Sequence, residues 1–458
     1  MIIARAFSGK HYAVLGLARS GRATVEALLA SGARVTAWDD NADAREKLCS
    51  CEGRSPGLGP CLRRDTEWDL TQFDSIVATP GLPLNRHPIA QRARDAGVEI
   101  IGDIELFARA RAELPPHKVV GITGTNGKST TTALVHHILH TAGVPSLMVG
   151  NIGLPILAQD PLPEGGVYVL ELSSYQLDLT QSLDCDVAVL LNITPDHLDR
   201  YENFEAYAAS KLRLFDMMKP PHIGVLNWHT DYGEQLYQDV LEHREVWANY
   251  SDDVQDPYDL WGAFNEQGMT CSRDHLSTVE DWPNLQGPHN AQNAISAILA
   301  CNALGLSDEQ VSEALKTYPG LSHRMERVAQ KEAVLFVNDS KATNPTATAP
   351  ALAAFPAIRW ILGGQAKSDN LDECAPHFGH VRSAYTIGEA AGLFERLLKP
   401  HMPVKICGEL AEAVKQAAAD AEAGDTVLLS PACASFDQFT DYEQRGDVFR
   451  GLVQALGA

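Results

Sequence analysis

The sequence has no CxxC pair, no apolar run of membrane-spanning length and fewer basic than acidic residues. Its nine cysteines are scattered, which argues against a disulfide framework and for reduced thiols. The densest group, Cys49, Cys51 and Cys61, has no histidine or fourth cysteine beside it to complete a zinc site. The N-terminal stretch lacks the charged start, long apolar core and small-residue cleavage site of a signal peptide, so a cytoplasmic location is expected. Basic residues number 37 against 59 acidic, a formal net charge of −22. Such a field repels nucleic acid and anionic membrane, and neither is an expected partner. No internal repeat or low-complexity tract is present, which excludes a solenoid.

What is present is ordinary globular composition, 45% apolar and 21% charged. At 458 residues the chain has room for about three domains. Its organising stretch is KVVGITGTNGKSTTT, from Lys118 to Thr132. Val119, Val120 and Ile122 read as a buried strand, and a helix is expected from Lys128 towards Gly143 and Pro145. Between them Gly124, Thr125, Asn126 and Gly127 form a tight loop. Strand, glycine loop, Lys-Ser and helix together predict a phosphate cradle. Loop N–H groups and the helix N-terminus face the anion, Lys128 neutralises outer phosphates, and Ser129 or Thr130 can hold Mg²⁺. The strict P-loop spacing wants glycine where Ile122 stands, so the loop is a variant. ATP is the expected ligand.

Strands alternate with helices along the whole chain, which predicts an α/β protein. Near the start, a strand at Tyr12–Leu15 runs into Gly16-Leu17-Ala18-Arg19-Ser20-Gly21, and a second strand at Val35–Trp38 ends in Asp39 and Asp40. This is close to a dinucleotide fingerprint with alanine at the middle glycine, and equally close to an ordinary βαβ turn. Ser75–Ala78 is a short strand entering Thr79-Pro80-Gly81. In the middle section Val167–Leu170 ends at Glu171, Val187–Ile193 leads to Asp196-His197, and a helix over Phe204–Leu214 carries Lys211. A long alanine-rich helix follows Gly287. Strands at Val334–Val337, Trp360–Leu362, Tyr385–Ile387 and Thr426–Leu429 predict a third, parallel sheet. The boundaries expected are 1–102, 103–320 and 321–458.

Polar groups gather just past the strands, where open α/β sheets bind ligands. Glu171 suits Mg²⁺, which prefers oxygen donors, whereas His197 alone reads as a hydrogen-bonding residue. In the last third, Asp339, Ser340, Lys341, Thr343 and Asn344 follow one strand, Gly363, Gly364 and Lys367 the next, and SPACAS (430–435) another. Arg324 precedes them. One such set is an ordinary solvated loop end; together they predict a charge-dense ligand.

These motifs carry a resemblance. GITGTNGKST, NIG, ELSSYQL, NITPDHLDRY, SKLRLF, HNAQN, LSHRMERV and NDSKATN resemble the Mur ligases of peptidoglycan synthesis over essentially the whole chain, and LSPACASFDQF resembles the D-glutamate-adding branch. The resemblance implies three α/β domains: a Rossmann-like uridine-nucleotide domain, a P-loop-type ATP-binding domain and a Rossmann-like C-terminal amino-acid domain. It implies an ATP-dependent amide ligase that joins UDP-N-acetylmuramoyl-L-alanine and D-glutamate through an acyl phosphate, with two Mg²⁺ ions as further cofactors. It gives Lys128 to the ATP phosphates, and Ser129, Glu171 and His197 to Mg²⁺, with Lys211 matching a lysine that the family carbamylates. Asn290, Asn293, Arg324 and Asp339 would contact the nucleotide, and Lys341 the reacting groups. Thr343, Lys367, Ser435 and Tyr442 would surround D-glutamate. Arg19, Ser20, Asp39, Gly81 and Asn151 would hold the UDP-sugar. Relatives often carry phenylalanine where Tyr442 stands, and Asp40-Asn41 lacks a basic residue that some have there. A monomer is expected. The readings that compete are an NAD-dependent oxidoreductase, which leaves GTNGKST without a task, a folylpolyglutamate synthetase-like ligase, which lacks a UDP-binding first domain, and a non-catalytic ATP-binding scaffold.

Overall fold

The computed structural model describes residues 1–49, 68–197, 199–227, 245–249, 282, 284–285 and 288–456. Cys51, Cys61 and most of the irregular stretch 229–283 lie outside the described residues. Three sheets are present among the described residues, in two compact units. The first unit is residues 1–281 with 288–317; the second is 282–287 with 318–458.

In the first unit, β1 (His11–Leu15), β2 (Arg34–Trp38), β3 (Ser75–Ala78) and β4 (Ile100–Ile101) form a parallel sheet in the order β2-β1-β3-β4. A six-stranded parallel sheet follows, built from β5 (His117–Thr123), β6 (Ser146–Gly150), β7 (Gly166–Glu171), β8 (Val187–Leu190), β9 (Ile223–Asn227) and β10 (Glu245–Asn249). Its order is β10-β9-β8-β5-β7-β6. Every residue of β7 and β8 is buried, as expected of strands covered by helices on both faces. One continuous apolar core runs from Phe7, Tyr12 and Val35 through Phe107 to Tyr168 and Leu214, so the two sheets share a core. Glu105 adds to that join: its buried carboxylate accepts from the Gln181 and Ser182 N–H groups and from Arg109.

β5 lies between β7 and β8, and the chain crosses to opposite sides of it to make β6 and β9. That reversal is a topological switch point, and the loops leaving β5, β7 and β8 at their carboxyl ends border it.

The second unit holds β11 (Glu326–Lys331), β12 (Val334–Asn338), β13 (Ile358–Gly363), β14 (Val381–Ile387), β15 (Val404–Gly408) and β16 (Thr426–Leu429), ordered β11-β12-β16-β13-β14-β15. Apolar clusters cover both faces, one around Trp360 and Phe394, the other around Tyr385 and Phe449. The expectation of a purely parallel sheet needs correction. β11 pairs antiparallel with β12 through the two-residue turn Glu332-Ala333, whose φ values are 49° and 62°. Two left-handed residues give the turn that matches hairpin twist, a place usually taken by Asn-Gly. Without that dipeptide the hairpin was invisible in the sequence.

Candidate active site

In the first unit the site is assembled around the loop between β5 and the helix Lys128–Thr141. Gly127 caps that helix in the left-handed region at φ 84°, and a Cβ there would collide with Asn293 Oδ1. Glycine is therefore required by the backbone and by the neighbour alike. The loop is held from the β8 side: Thr125 N–H donates to the Asn192 carbonyl at 2.9 Å, and Asn126 N–H to Asn192 Oδ1 at 2.8 Å. Thr125 Oγ1 sits 3.0 Å from Tyr207 Oη and accepts from the Thr194 N–H at 3.0 Å. Lys128 folds back on its own loop, donating to the Gly124 and Thr125 carbonyls at 2.8 and 2.6 Å. Ser129 and Thr130 are buried in the first helical turn, and Asn290 and Asn293 are buried on the helix Pro288–Ala303 beside it.

Glu171 ends β7 in register with Ile122 of β5. Its Oε1 accepts from Asn151 Nδ2 at 2.8 Å, while Oε2 is buried without a hydrogen-bond partner. An orphaned carboxylate oxygen this deep is a strong signal of a missing cation or water. It fits Mg²⁺, which takes hard oxygen ligands, and Ser129 offers another such oxygen in the first turn of the helix that follows β5, the strand paired with β7. The structure thus sets Asn151 beside Glu171, holding the carboxylate. His197 is half exposed, in a left-handed turn at φ 54°, with its ring 5.0 Å from Tyr175. A non-glycine residue held there costs about 1–3 kcal/mol, strain of a kind that gathers at functional sites.

Lys211 is 2% exposed. Its Nζ donates to the Gly124 carbonyl at 2.9 Å and lies 4.7 Å from the centre of the Tyr207 ring. Burial, reinforced by the charge of Lys128, pushes its pKa down to about 7.

At the first sheet, Gly16 and Gly21 bring the β1 loop against Thr79: a Cβ on Gly21 would overlap the Gly16 carbonyl oxygen. Asp39 Oδ2 accepts from the Leu17 N–H at 2.6 Å, so this acid closes the loop between β1 and the helix Arg19–Ala30. Arg19 and Ser20 open that helix. Arg45 lies over the Trp38 ring at 4.4 Å, a basic residue near the end of β2 that motif reading passed over. Gly81 is on the loop after β3.

In the second unit, Asp339 is buried past β12; Ser430 Oγ donates to it at 2.7 Å and the Met325 N–H at 3.1 Å. Burial raises its carboxyl to about 7. Lys341 places Nζ 5.6 Å from the centre of the Tyr442 ring, and Tyr442 Oη donates to Glu443 at 3.3 Å. Arg324 Nε is buried without a partner. Ser435 is buried, Thr343 half-buried and Lys367 exposed on the loop after β13. Sequence reasoning missed Arg445. Fully buried, it donates to Ser340 Oγ at 2.9 Å and to the Ser340 and Cys433 carbonyls at 2.8 and 3.1 Å, tying three of the predicted loops together with weaker bonds to Gly363 and Ala434. Only its tertiary surroundings distinguish it from any arginine on a polar helix.

Comparison with known proteins gives the family. The model of the Mur ligase middle domain matches residues 122–301, and that of the Mur ligase, glutamate ligase domain matches 323–433. The chain is 57% identical to the UDP-N-acetylmuramoylalanine--D-glutamate ligase of Novosphingobium aromaticivorans, covering all of this chain and 97% of that one. It is 51% identical to the protein of that name from Zymomonas mobilis, over the full length of both. Among solved structures, a MurF ligase from Thermotoga maritima in complex with ADP matches 99% of this chain and 96% of its own, with TM-score 0.57 at 17% identity. The UDP-N-acetylmuramate-alanine ligase of Thermotoga maritima matches 98% and 99%, with TM-score 0.56 at 16% identity. At such identities the structures speak for the fold, and the full-length sequence matches speak for the branch. By both, the chain belongs to the Mur ligase family, among the UDP-N-acetylmuramoylalanine--D-glutamate ligases.

Proposed function

We propose that this protein joins D-glutamate to UDP-N-acetylmuramoyl-L-alanine at the expense of ATP, with residues 1–102 holding the UDP-substrate, 103–320 the ATP and 321–458 the amino acid. The observation that carries the reading is the meeting of Lys128 and buried Lys211 on the Gly124 carbonyl of the phosphate loop, with the orphaned Glu171 oxygen at the end of the strand paired with the one that enters that loop. The loop N–H groups of Gly124–Thr130 and Lys128 take the phosphates, and Lys128 exchanges its two carbonyl partners for phosphate oxygens. Asn290, Asn293, Arg324 and Asp339 hold the remainder of the nucleotide. Arg19, Ser20, Asp39, Gly81 and Asn151 hold the UDP-sugar. Thr343, Lys367, Ser435 and Tyr442 take D-glutamate.

The L-alanyl carboxylate attacks the γ-phosphate, the bond to the β-phosphate oxygen breaks, and ADP leaves an acyl phosphate. The D-glutamate amine then adds to the acyl carbon, loses a proton and expels phosphate. Positioning and charge neutralisation are the main sources of rate in such a transfer. Lys341, steadied over Tyr442, neutralises charge on the tetrahedral intermediate. Ser129, Glu171, His197 and Lys211 as its carbamate would hold two Mg²⁺ ions, which supply charge neutralisation at the phosphates. The neutral Lys211 amine adds to CO₂, forming an N–C bond and releasing one proton, and the product is an oxygen ligand of reversed charge.

The test is phosphate release with UDP-N-acetylmuramoyl-L-alanine and ATP, offering D-glutamate, L-alanine or a diamino acid in turn. Turnover with D-glutamate alone is expected. Turnover with either of the others, or with none, overturns the reading. Size-exclusion chromatography with light scattering should show a monomer.

A further inference from the structure

Within the first unit, the loop after β3 and the turn that begins at His197 are tied by reciprocal bonds. Arg200 donates to the Leu82 carbonyl at 2.9 Å and to the Gly81 carbonyl at 3.5 Å. In the other direction, Asn85 Nδ2 and Arg86 donate to the Asp199 carbonyl at 3.1 and 3.0 Å. The Arg200 guanidinium carbon also lies over the Tyr175 ring, 4.3 Å from its centre. Tyr175 belongs to the short helix Ser174–Asp178, which starts three residues after Glu171 and is locked by a reciprocal cap between Ser173 and Gln176. The same ring lies 5.0 Å from His197 and stacks at 6.2 Å on Tyr201. Finally, the Arg200 N–H donates to the His197 carbonyl at 2.9 Å, closing the turn that holds His197 in its left-handed conformation.

One residue therefore joins three segments: its side chain reaches the Gly81 loop and the helix start beyond Glu171, and its backbone N–H closes the His197 turn on which it sits. A lysine could reach one carbonyl but has no planar fork to span two and stack on a ring at the same time. No phosphate, carboxylate or nucleotide contact is needed for any of these bonds. We propose that Arg200 is a positioning residue that fixes the UDP-substrate loop at Gly81 against the His197 turn, so that the acceptor carboxylate and the phosphate-side groups are registered by one guanidinium. The inference rests on the function proposed above.

The experiment compares wild type, Arg200→Ala, Arg200→Lys and Asn85→Ala. It measures kcat, KM for each substrate, Mg-ADP affinity by calorimetry without UDP-substrate, and Tm. Misregistration of reacting groups by about an ångström loses up to ~100-fold in rate, so Arg200→Ala should raise KM for UDP-N-acetylmuramoyl-L-alanine and lower kcat, each about tenfold. Mg-ADP affinity and KM for D-glutamate should stay within about twofold, a split that general loss of structure would not produce. Asn85→Ala should move the same KM about two- to threefold. If Arg200→Ala fails to fold, Arg200→Lys decides, with at least a threefold rise in that KM expected from loss of the stacked fork. UDP-substrate kinetics within twofold of wild type in the folded Arg200 variant, or an equal loss of Mg-ADP affinity, overturns the proposal. Failure of wild type itself to turn over the UDP-substrate would instead overturn the functional reading.

Discussion

Lys211 in the first unit and Arg445 in the second are both buried cations without a carboxylate hydrogen-bonded to them, yet the fold treats them oppositely. Lys211 has one carbonyl acceptor and an aromatic face, and Lys128 adds a repelling charge. Its proton is held so weakly that its pKa falls to about 7. Arg445 has a hydroxyl and four carbonyls around it, and its pKa falls only to about 10 despite similar burial. A guanidinium spreads its charge over five donors and can be satisfied entirely by carbonyl dipoles. An ammonium given a single acceptor is better off neutral. Burial therefore leaves a weakly held proton at one position and a permanent strut at the other.

Exchanging the two chemistries should have the largest effect. Lys211→Arg retains a cation that cannot lose its proton, and turnover should fall at least about a thousandfold, as for loss of a metal-ligating group. Acetate should partly restore activity to Lys211→Ala, by filling the place of the proposed carbamate, and should not restore Lys211→Arg. Phosphate release with and without acetate checks this, and full activity of Lys211→Ala without any carboxylate would remove the ligand role. Lys128→Ala should likewise abolish turnover while UDP-substrate binding, followed by calorimetry, persists.

Next is the strut. Arg445→Met leaves the Ser340 and Cys433 carbonyls buried without their donor, and should destabilise the protein by about 2–4 kcal/mol. Denaturant midpoints at unchanged m-value measure it; a change under about 0.5 kcal/mol would show that the loops find other partners.

The pH dependence sharpens the contrast. The folded pKa of Lys211 lies below its unfolded value of 10.5, so between about 7 and 10.5 the unfolded chain binds the extra proton and stability rises with pH. The penalty of the buried charge is fully present below about pH 7. Lys211→Met should therefore gain most Tm over wild type near pH 6 and less at pH 9, both in CO₂-depleted buffer. An equal gain at both values would contradict a lowered pKa. The smallest effect is expected of Tyr442→Phe. It removes one half-exposed hydroxyl and keeps the ring under Lys341, so turnover should stay within about twofold, whereas Tyr442→Ala should lower it further.

The longer buried elements and the family of this protein could be read from its sequence. Buried parallel strands are near-continuous apolar runs, and glycine loops followed by Lys-Ser have few other uses, so β5 to the Lys128 helix, Glu171 and the last-third loops were legible residue by residue. So was the family, because its motifs are contiguous. Short or edge strands such as Ile100–Ile101, Ser146–Gly150 and Glu326–Lys331 were not, since half-exposed segments lack a continuous apolar pattern and the hairpin turns on Glu332-Ala333 without glycine. Tertiary structure alone decided which polar residues act as struts. Arg200, Arg445, Asn192 and Glu105 look like ordinary surface groups in sequence, because each has a partner among backbone carbonyls and N–H groups 66 to 119 residues away, and the backbone carries no sequence signature. The lowered pKa of Lys211 is of the same kind: it follows from desolvation and a neighbouring charge, both of which exist only once the helix Phe204–Asp216 packs over the phosphate loop.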